Sequence, residues 1–319
     1  MIVIFSGGTG TPKLLQGLVP LLEEREEKIV IVANTADDWD FYGLHVCPDV
    51  DAVIFTLAQR DNSPLIDTEK WWGIRNDTFG LVNGLKTYLK EKIWFNLGDI
   101  DASICLFRTH LLRQGFSLLH AIDQITSRLQ IKHKIWPMAE TPVSTWVRTS
   151  ECEMHLQEFW VKERGKPDVV DVFFKGHKTA QVPVEVLHAI TSARGIIIGP
   201  SNPVSSIGPI IAIPSIRSAL KKTKAIRVAV SPIIGEAPVS GPAGKFMQAW
   251  NYPISSIGVA KIYENLIDML FVASSDAHLR PQFSNTIIPV FSNIYLRTSE
   301  EKQALATKII TCIDERTKI

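Results

Sequence analysis

Ile2-Val3-Ile4-Phe5-Ser6-Gly7-Gly8-Thr9-Gly10-Thr11-Pro12-Lys13-Leu14-Leu15 is the stretch that decides the fold of this chain. An apolar run leads into a glycine cluster, and the cluster leads into leucines with helical spacing, so the order is strand, turn, helix. Because glycine lacks a Cβ, Gly7, Gly8 and Gly10 can bring backbone N–H groups close to a phosphate at the helix N-terminus. Pro12 suits the first helical turn, where its missing N–H costs nothing. The stretch predicts a nucleotide-binding turn.

Two common nucleotide motifs do not fit this turn. A Walker A loop requires G-x-x-x-x-G-K followed by Ser or Thr, which is absent here. The dinucleotide fingerprint fits only in part, because Lys13 stands where its third glycine would be. On this stretch alone, a purely structural turn between a strand and a helix remains an alternative.

The next apolar run, 28–33, is typical of a buried parallel strand, and it ends in Asn34-Thr35-Ala36-Asp37-Asp38. In a doubly wound sheet this strand end lies in the same crevice as the glycine turn. An acidic residue at this position often contacts a ribose hydroxyl, and it is equally suited to a metal ion. The alternative is that Asn34 and the two aspartates cap the following turn.

Further acidic residues follow along the chain. Asp49 and Asp51 stand at the start of a predicted helix, where carboxylates either cap the helix or bind a cation. The run 93–97 is predicted to be a third strand, and Asp99 follows it. Polar residues after three successive strands predict one shared crevice at the carboxyl edge of the sheet. Trp71 and Trp72 are adjacent, so at least one of them is expected to line a ligand surface or an interface.

The second half of the chain repeats the pattern after an interruption. Residues 131–182 show short alternating segments and predict a small β-rich insertion. Beyond it, the loops 200–209 and 231–245 follow apolar strands and are rich in glycine, proline and serine, which suits phosphate binding. The predicted fold is α/β, a doubly wound, mostly parallel Rossmann-like sheet, whose nucleotide-binding core comprises 1–130 and 183–319.

Composition excludes several function classes. The 319 residues contain 34 Lys and Arg against 33 Asp and Glu, a net charge of +1, which gives no electrostatic basis for binding nucleic acid or a membrane surface. Cys47, Cys105, Cys152 and Cys312 form no C-x-x-C pair, so neither a zinc knuckle nor a disulfide framework is indicated. We expect a soluble cytoplasmic protein that acts on small molecules.

Taken together, the motifs resemble the 2-phospho-L-lactate transferase family in the same order and over nearly the whole chain. They are Gly-Gly-Thr-Gly-Thr-Pro-Lys at 7–13, Asn-Thr-Ala-Asp-Asp at 34–38, Pro-Asp-Val-Asp at 48–51, Trp-Trp-Gly-Ile at 71–74, Leu-Gly-Asp at 97–99, Gly-Pro-Ser-Asn-Pro at 199–203 and Ser-Pro-Ile-Ile-Gly through Gly-Pro-Ala-Gly-Lys at 231–245. The family builds the deazaflavin coenzyme F(420). The resemblance implies transfer of a 2-phospholactyl, phosphoenolpyruvyl or phosphoglyceryl group from a guanosine-diphosphate-linked donor to a deazaflavin alcohol, with release of GMP. It also implies a requirement for Mg²⁺ and is compatible with a homodimer.

The resemblance and the motifs together give a set of expected site residues. Catalysis is expected from Asp49, Asp51 and Asp99, deazaflavin binding from Asp51, Asn96 and Trp71, and metal binding from Asp37, Asp49 and Asp51. Asn96 stands where the family usually has lysine, so a hydrogen bond can be kept but the charge is lost. The residues expected to bind the nucleotide and its phosphates are Gly7, Gly8, Thr9, Gly10, Thr11, Lys13, Asn34, Ser201, Asn202, Ser206, Gly235 and Lys245.

This set gives one expectation for a variant, and the sequence leaves one alternative function open. Replacing Asp51 by alanine should abolish turnover and spare the fold. The alternative function is that of a related group with the same opening motif, the gluconeogenesis-factor group of non-enzymatic regulators that bind a nucleotide-sugar or dinucleotide. The motifs at 48–51 and 71–74 favour the transferase.

Overall fold

A central sheet of seven parallel strands organises the chain. The computed structural model describes residues 1–60, 62–90 and 92–317, and residues 61, 91, 318 and 319 of the predicted core lie outside this description. The strands in chain order are β1 (Ile2–Ser6), β2 (Ile29–Ala33), β3 (Trp39–Phe41), β4 (Leu44–Val46), β5 (Gln59–Arg60), β6 (Ser63–Pro64), β7 (Lys134–Pro137), β8 (Ser144–Thr149), β9 (Glu153–His155), β10 (Val169–Lys175), β11 (Gly195–Ile198), β12 (Ile226–Val230), β13 (Ile233–Ile234), β14 (Ala237–Pro238), β15 (Met269–Ala273) and β16 (Ile288–Ser292).

Helices flank the central sheet. The α-helices in chain order are α1 (Gly10–Glu24), α2 (Pro48–Leu57), α3 (Gly80–Tyr88), α4 (Asp99–Arg113), α5 (Leu118–Arg128), α6 (Val184–Ser192), α7 (Ile207–Ala212), α8 (Pro214–Lys222), α9 (Ala243–Ala249), α10 (Ser256–Ile262) and α11 (Ser299–Thr317). A π-helical turn covers Glu158–Lys162, and 3-10 turns cover His177–Thr179 and Ser274–Gln282. Within the described ranges, no helix combines the length and the apolar character that crossing a membrane requires.

The order of the strands confirms the predicted doubly wound α/β fold. Across the sheet they run β16-β15-β12-β11-β1-β2-β7. From β1 the chain proceeds outward through β2 to β7, then returns to the other side of β1 and proceeds outward again from β11 to β16. The direction of winding therefore reverses between β1 and β11, and ligands of such sheets bind at the carboxyl ends of the strands at this switch point.

Strand β1 shows why the sheet is buried on both faces. Val3 and Phe5 belong to one hydrophobic cluster and Ile2 and Ile4 to another, and all four side chains have no exposed surface. Because neighbouring side chains along a strand point to opposite faces, an uninterrupted apolar run fills two cores at once. Burying each side chain of this size stabilises the fold by roughly 1.5–3 kcal/mol.

Two close backbone approaches position the first helix. A Cβ on Gly10 would lie 1.9 Å from the carbonyl oxygen of Pro200, in the loop after β11. A Cβ on Gly17 would lie 2.3 Å from the carbonyl oxygen of Lys302, on α11. Glycine is therefore required at both positions, and α1 is fixed against the switch-point loop at its start and against the C-terminal helix further along.

Two segments differ from the prediction. The strand predicted over 93–97 is wrong: this segment connects α3 and α4, and Trp94 packs against Trp39 with ring centroids 5.1 Å apart, in a lobe outside the central sheet. Residues 134–137, assigned to the insertion, form β7 and pair in parallel with β2 at the edge of the central sheet. Short apolar runs do not distinguish between these placements, because periodicity carries too little information over five residues. The remainder of 131–182 holds a three-stranded sheet in the order β10-β8-β9.

The approach of Gly10 to Pro200 leads to the first prediction. We expect Gly10→Ala to lower the free energy of unfolding by about 1–3 kcal/mol, because a backbone atom must move to admit the methyl group. Gly84→Ala is the matched control. Its Cβ would meet open space within a helix, so this change should raise stability by up to about 1 kcal/mol. Urea denaturation measures both, and equal effects of the two substitutions would contradict the packing argument.

Candidate functional site

One cavity of about 800 Å³ opens at the carboxyl ends of β1 and β11, at the switch point of the sheet. Its walls come from nine separate parts of the chain, including the glycine turn, the start of α2, the π-helical turn and the segment before α11. The lining residues lie within 8–13, 37, 46–55, 69–73, 95–101, 156–161, 200–206, 231–243 and 294–297.

The glycine turn is held from below by Ser201. The Ser201 hydroxyl donates to the carbonyl of Gly7, lies 2.7 Å from the Thr11 hydroxyl, and accepts the Thr11 backbone N–H at 3.2 Å. Gly7 and Thr11 lie beneath the surface, whereas Gly8, Thr9 and Gly10 line the cavity. The first turn of α1 contains no acidic residue of its own, and the Asp49 carboxylate accepts a backbone hydrogen bond from Gly8 just before it.

The loop after β11 presents polar groups beside this turn. The Asn202 side-chain oxygen accepts backbone N–H groups from Val204 at 3.0 Å and Ser205 at 3.3 Å. The Asn202 side-chain nitrogen is buried without a partner in the described part of the chain, although the residue lines the cavity. Ser206 also lines it. An amide donor fixed in this way is available to a ligand.

Two buried carboxylates lie next to the glycine turn. The Asn34 side-chain amide donates to Asp49 Oδ2 at 2.9 Å, so Asn34 holds Asp49 in place. Burial raises the pKa of Asp49 to about 6. Burial and the charge of Asp49 raise the pKa of Asp37 well above its ordinary value.

Asp37 and Asp49 fit a hard divalent cation. Each side chain is 6% exposed, and both line the cavity. Asp37 Oδ1 has no hydrogen-bond partner among the described residues. Two adjacent, desolvated carboxylates with an unpartnered oxygen are costly unless a positive charge compensates them, and Mg²⁺ prefers oxygen ligands of this kind.

Asp51 differs from its neighbours because it already has a cationic partner. Arg108 on α4 is completely buried, and its Nη1 donates to Asp51 Oδ2 at 3.1 Å and to the carbonyl of His45 at 3.0 Å. Arg108 Nη2 donates to the other Asp51 oxygen. Removing Asp51 would leave a buried guanidinium unpaired, which typically costs about 3–5 kcal/mol. The ion pair therefore leads us to expect that Asp51→Ala destabilises the fold, in contrast to the expectation from the sequence.

Asp101 is the carboxylate that sequence reasoning missed. It lies in the first turn of α4, lines the cavity and has a carboxylate oxygen within 4.8 Å of those of Asp51 and of the Cys105 sulfur. Burial and the charge of Asp51 raise the pKa of Asp101 to about 7. The signal was present in the sequence as a second acid two residues after Asp99.

Asp99 itself lies away from the cavity lining. Its carboxylate accepts the backbone N–H groups of Gly80 and Leu81, both at 2.8 Å, and so caps the start of α3. These bonds lower the pKa of Asp99, together with a larger effect from the Thr78 hydroxyl. A carboxylate engaged in this way stabilises a helix end.

Two of the expected phosphate-binding residues also have other contacts. The backbone N–H of Gly235 donates to Asp276 Oδ2 at 3.0 Å. Lys245 Nζ donates to three consecutive carbonyl oxygens at 165–167, at 2.8, 2.9 and 3.3 Å, and so ties α9 to the β-rich insertion. Neither residue lines the cavity, although the loop between them does at 239–243.

Aromatic side chains form the outer part of the cavity. Trp71 lies in the lining as expected, and Asn96 is exposed there. Trp160 on the π-helical turn and Tyr295 before α11 were not anticipated, because nothing in the local sequence connects either segment to the glycine turn. Trp71, Trp72, Phe95, Trp160 and Tyr295 are the aromatic lining residues outside the sheet core.

Comparison with known proteins places this chain in a family. The family model described as 2-phospho-L-lactate transferase CofD matches residues 2–309. A protein of Methanosarcina mazei named 2-phospho-L-lactate transferase is 45% identical over 275 residues, which is 86% of this chain and 88% of that one. One of the same name from Methanococcoides burtonii is 40% identical over 97% of this chain and 98% of its own length.

A solved structure supports the fold independently. The crystal structure of a member of the UPF0052 family from Bacillus halodurans superposes with a TM-score of 0.66 and covers 97% of this chain and 98% of that chain. At 14% sequence identity this similarity concerns the fold alone.

The raised carboxyl pKa values predict a pH dependence of stability. The folded-state pKa values of Asp49 and Asp101 are about 6 and about 7, above the ordinary 3.8. A carboxyl whose pKa is raised by folding stabilises the fold below its unfolded pKa and loses that contribution as the pH rises through the folded value. With a chelator present, the free energy of unfolding should therefore fall between about pH 4 and about pH 7.

Denaturation at about pH 5 and about pH 8 measures this difference, which should shrink in Asp101→Asn. Asp171→Asn changes an exposed carboxylate of the insertion and should keep the wild-type difference. A difference that Asp101→Asn leaves unchanged would show that the buried carboxyl does not contribute.

Proposed function

Because the chain belongs to the 2-phospho-L-lactate transferase CofD family, we propose that its cavity transfers a 2-phospholactyl, phosphoenolpyruvyl or phosphoglyceryl group from a guanosine-diphosphate-linked donor. The acceptor is the hydroxyl of 7,8-didemethyl-8-hydroxy-5-deazariboflavin, and GMP is released. Family membership makes the chain a transferase of coenzyme F(420) biosynthesis. The observation that carries the finer proposal is the juxtaposition, within one cavity, of an open helix N-terminus and a set of buried carboxylates.

The donor diphosphate is proposed to bind at the glycine turn. Gly8, Thr9 and Gly10 lie at the N-terminus of α1, where backbone N–H groups and the helix dipole favour an anion. The Asn202 side-chain nitrogen, which has no partner in the described part of the chain, and the hydroxyl of Ser206 stand beside them. These groups suit the oxygens of a diphosphate, and they remain candidates for the guanosine as well.

The deazaflavin is proposed to bind in the aromatic outer part of the cavity. A planar tricyclic ring is well matched to indole and phenyl faces such as those of Trp71, Phe95 and Trp160. Asn96 can donate or accept a hydrogen bond at the edge of that ring. The acceptor hydroxyl then points toward the carboxylates and the glycine turn.

In the proposed reaction, the acceptor oxygen attacks the phosphorus that carries the lactyl group. One P–O bond forms, the diphosphate P–O bond breaks, and the leaving electron pair stays on GMP. Asp101 is suited to accept the hydroxyl proton, because its pKa of about 7 matches the working range of a general base. Arg108 neutralises the charge of Asp51, and this ion pair fixes the orientation of the Asp51 carboxylate. Mg²⁺, when held by Asp37 and Asp49, supplies positive charge for the diphosphate oxygens.

The test combines purified protein, the deazaflavin alcohol, Mg²⁺ and each of the three guanylated donors in turn. We expect GMP and one phosphodiester product, identified by liquid chromatography and mass spectrometry, and the preferred donor identifies the transferred group. Binding of GDP with no product from any donor would instead favour the nucleotide-binding regulator.

Asp101→Asn tests the assignment of the base. We expect its kcat to fall on the order of 100-fold or more, with substrate binding largely kept. Asp171→Asn changes an exposed side chain that is not part of the cavity lining and should retain wild-type turnover. Loss of turnover in Asp99→Asn but not in Asp101→Asn would show that Asp99, and not Asp101, is the general base.

A further inference from the structure

Two lysines from opposite ends of the chain converge on one ring of the cavity wall. Lys13 Nζ lies 5.1 Å from the centroid of the Trp71 ring, and Lys302 Nζ lies 4.9 Å from the same centroid. Lys13 belongs to the first turns of α1, and Lys302 to the first turn of α11. Lys13 and Trp71 line the cavity, and the segment 294–297 that leads into α11 lines it too.

Lys302 is a buried cation without an opposite charge. Its side chain is 7% exposed, and its Nζ donates to the side-chain oxygen of Gln16 at 2.8 Å. Over the residues that the structure describes, neither Lys302 nor Lys13 forms an ion pair; the lysines that do are Lys70, Lys134 and Lys162. Burying an ammonium group with only a neutral partner is unfavourable, because little replaces the lost hydration.

The two lysines also repel each other. Burial and the nearby charge of Lys13 lower the pKa of Lys302, and burial lowers the pKa of Lys13. The face of an indole attracts a cation, typically by about 0.5–2 kcal/mol, but it does not neutralise the charge. The arrangement is therefore incomplete in electrostatic terms, and an anion in the cavity would complete it.

Packing alone does not account for the charge on Lys302. Helix α11 is fixed against α1 by the backbone contact at Gly17 and by buried apolar side chains such as Leu305 and Ile309. A neutral side chain of similar length would fill the same space without the desolvation cost. A charge that lowers stability and has no oppositely charged partner among the described residues is typical of a group kept for binding.

We infer that Lys302 is a second cationic residue of the donor site, which together with Lys13 favours binding of the diphosphate of the guanylated donor. Lys302 is not among the lining residues, so it acts as a positioning residue, through its field and through the ring that it shares with Lys13. This inference rests on the proposed function, since it assigns the anion to that donor. It adds the C-terminal helix to a site otherwise built from the glycine turn and the loop after β11.

The test is calorimetric titration of the wild-type protein and of Lys302→Met with GDP and with inorganic diphosphate, at low and high salt. Met keeps the length and apolar stem of lysine and removes the charge. We expect GDP to bind Lys302→Met about 10-fold more weakly, with a smaller salt dependence, because one charge-assisted contribution is lost. Lys302→Arg should recover most of the affinity.

Lys308→Met is the matched control on the same helix. Lys308 Nζ donates to the carbonyl of Phe291 on an exposed surface, and the variant should bind GDP as the wild type does. Thermal denaturation without ligand separates binding from packing. The midpoint of Lys302→Met should equal or exceed that of the wild type, because a buried charge is removed, and GDP should raise it less.

The possible outcomes are distinct. Wild-type GDP affinity in Lys302→Met would overturn the inference and leave the proposed function intact, as would weaker binding that Lys302→Arg does not rescue together with a lowered midpoint. Absence of binding of both GDP and diphosphate to the wild-type protein would overturn the proposed donor site and this inference together.

Discussion

The contact between the turn after β1 and the loop after β11 is the constraint on which the rest of the site depends. Gly10 approaches the carbonyl of Pro200 so closely that no side chain fits, and Ser201 bonds to both Gly7 and Thr11. These bonds join two strands that are adjacent in the sheet but distant in the chain. They leave Gly8, Thr9 and Gly10, at the N-terminus of α1, lining the cavity. The floor of the cavity is therefore rigid, and a flexible ligand binds against groups whose positions are already fixed.

Opposite charges are sorted to different parts of this cavity, although the net charge of the whole chain is only +1. Asp37, Asp49, Asp51 and Asp101 occupy one part, and Lys13 with Lys302 surrounds Trp71 in another. Each set contains buried groups that lack a full complement of partners, so both lower the stability of the ligand-free fold. A ligand that carries its own anion and brings a cation satisfies both sets at once. A guanylated diphosphate with Mg²⁺ is of this kind.

The fold and the floor of the site were predictable from the sequence because they are local features. A strand, its glycines and the next helix are contiguous, and the positions of Asn34 and Asp49 follow from counting to the end of a strand or the start of a helix. The choice between Asp99 and Asp101 was not predictable, because it depends on which side of α4 faces the cavity. Lys245 was assigned to phosphate from its glycine-rich context, and the carbonyls that it binds belong to the loop that precedes β10 in the insertion. The partners of Arg108 and Lys302 lie 57 and 286 residues away, where no local pattern extends.

The division of labour among the four acids follows from what each carboxylate already contacts. Asp51 has a guanidinium, so its charge is compensated and its geometry is fixed. Asp49 accepts hydrogen bonds from the Asn34 side chain and the Gly8 backbone, and Asp37 has an oxygen without a partner among the described residues, so these two have the capacity to hold a cation. Asp101 lies beside Asp51, and burial together with the charge of Asp51 raises the pKa of Asp101 to about 7. Neighbouring charges that separate the proton affinities of carboxyl groups allow one cavity to contain both an ionised carboxylate and a proton acceptor at the same pH. Arg108 is thus the residue that makes Asp51 and Asp101 different, although it touches no part of the cavity surface itself.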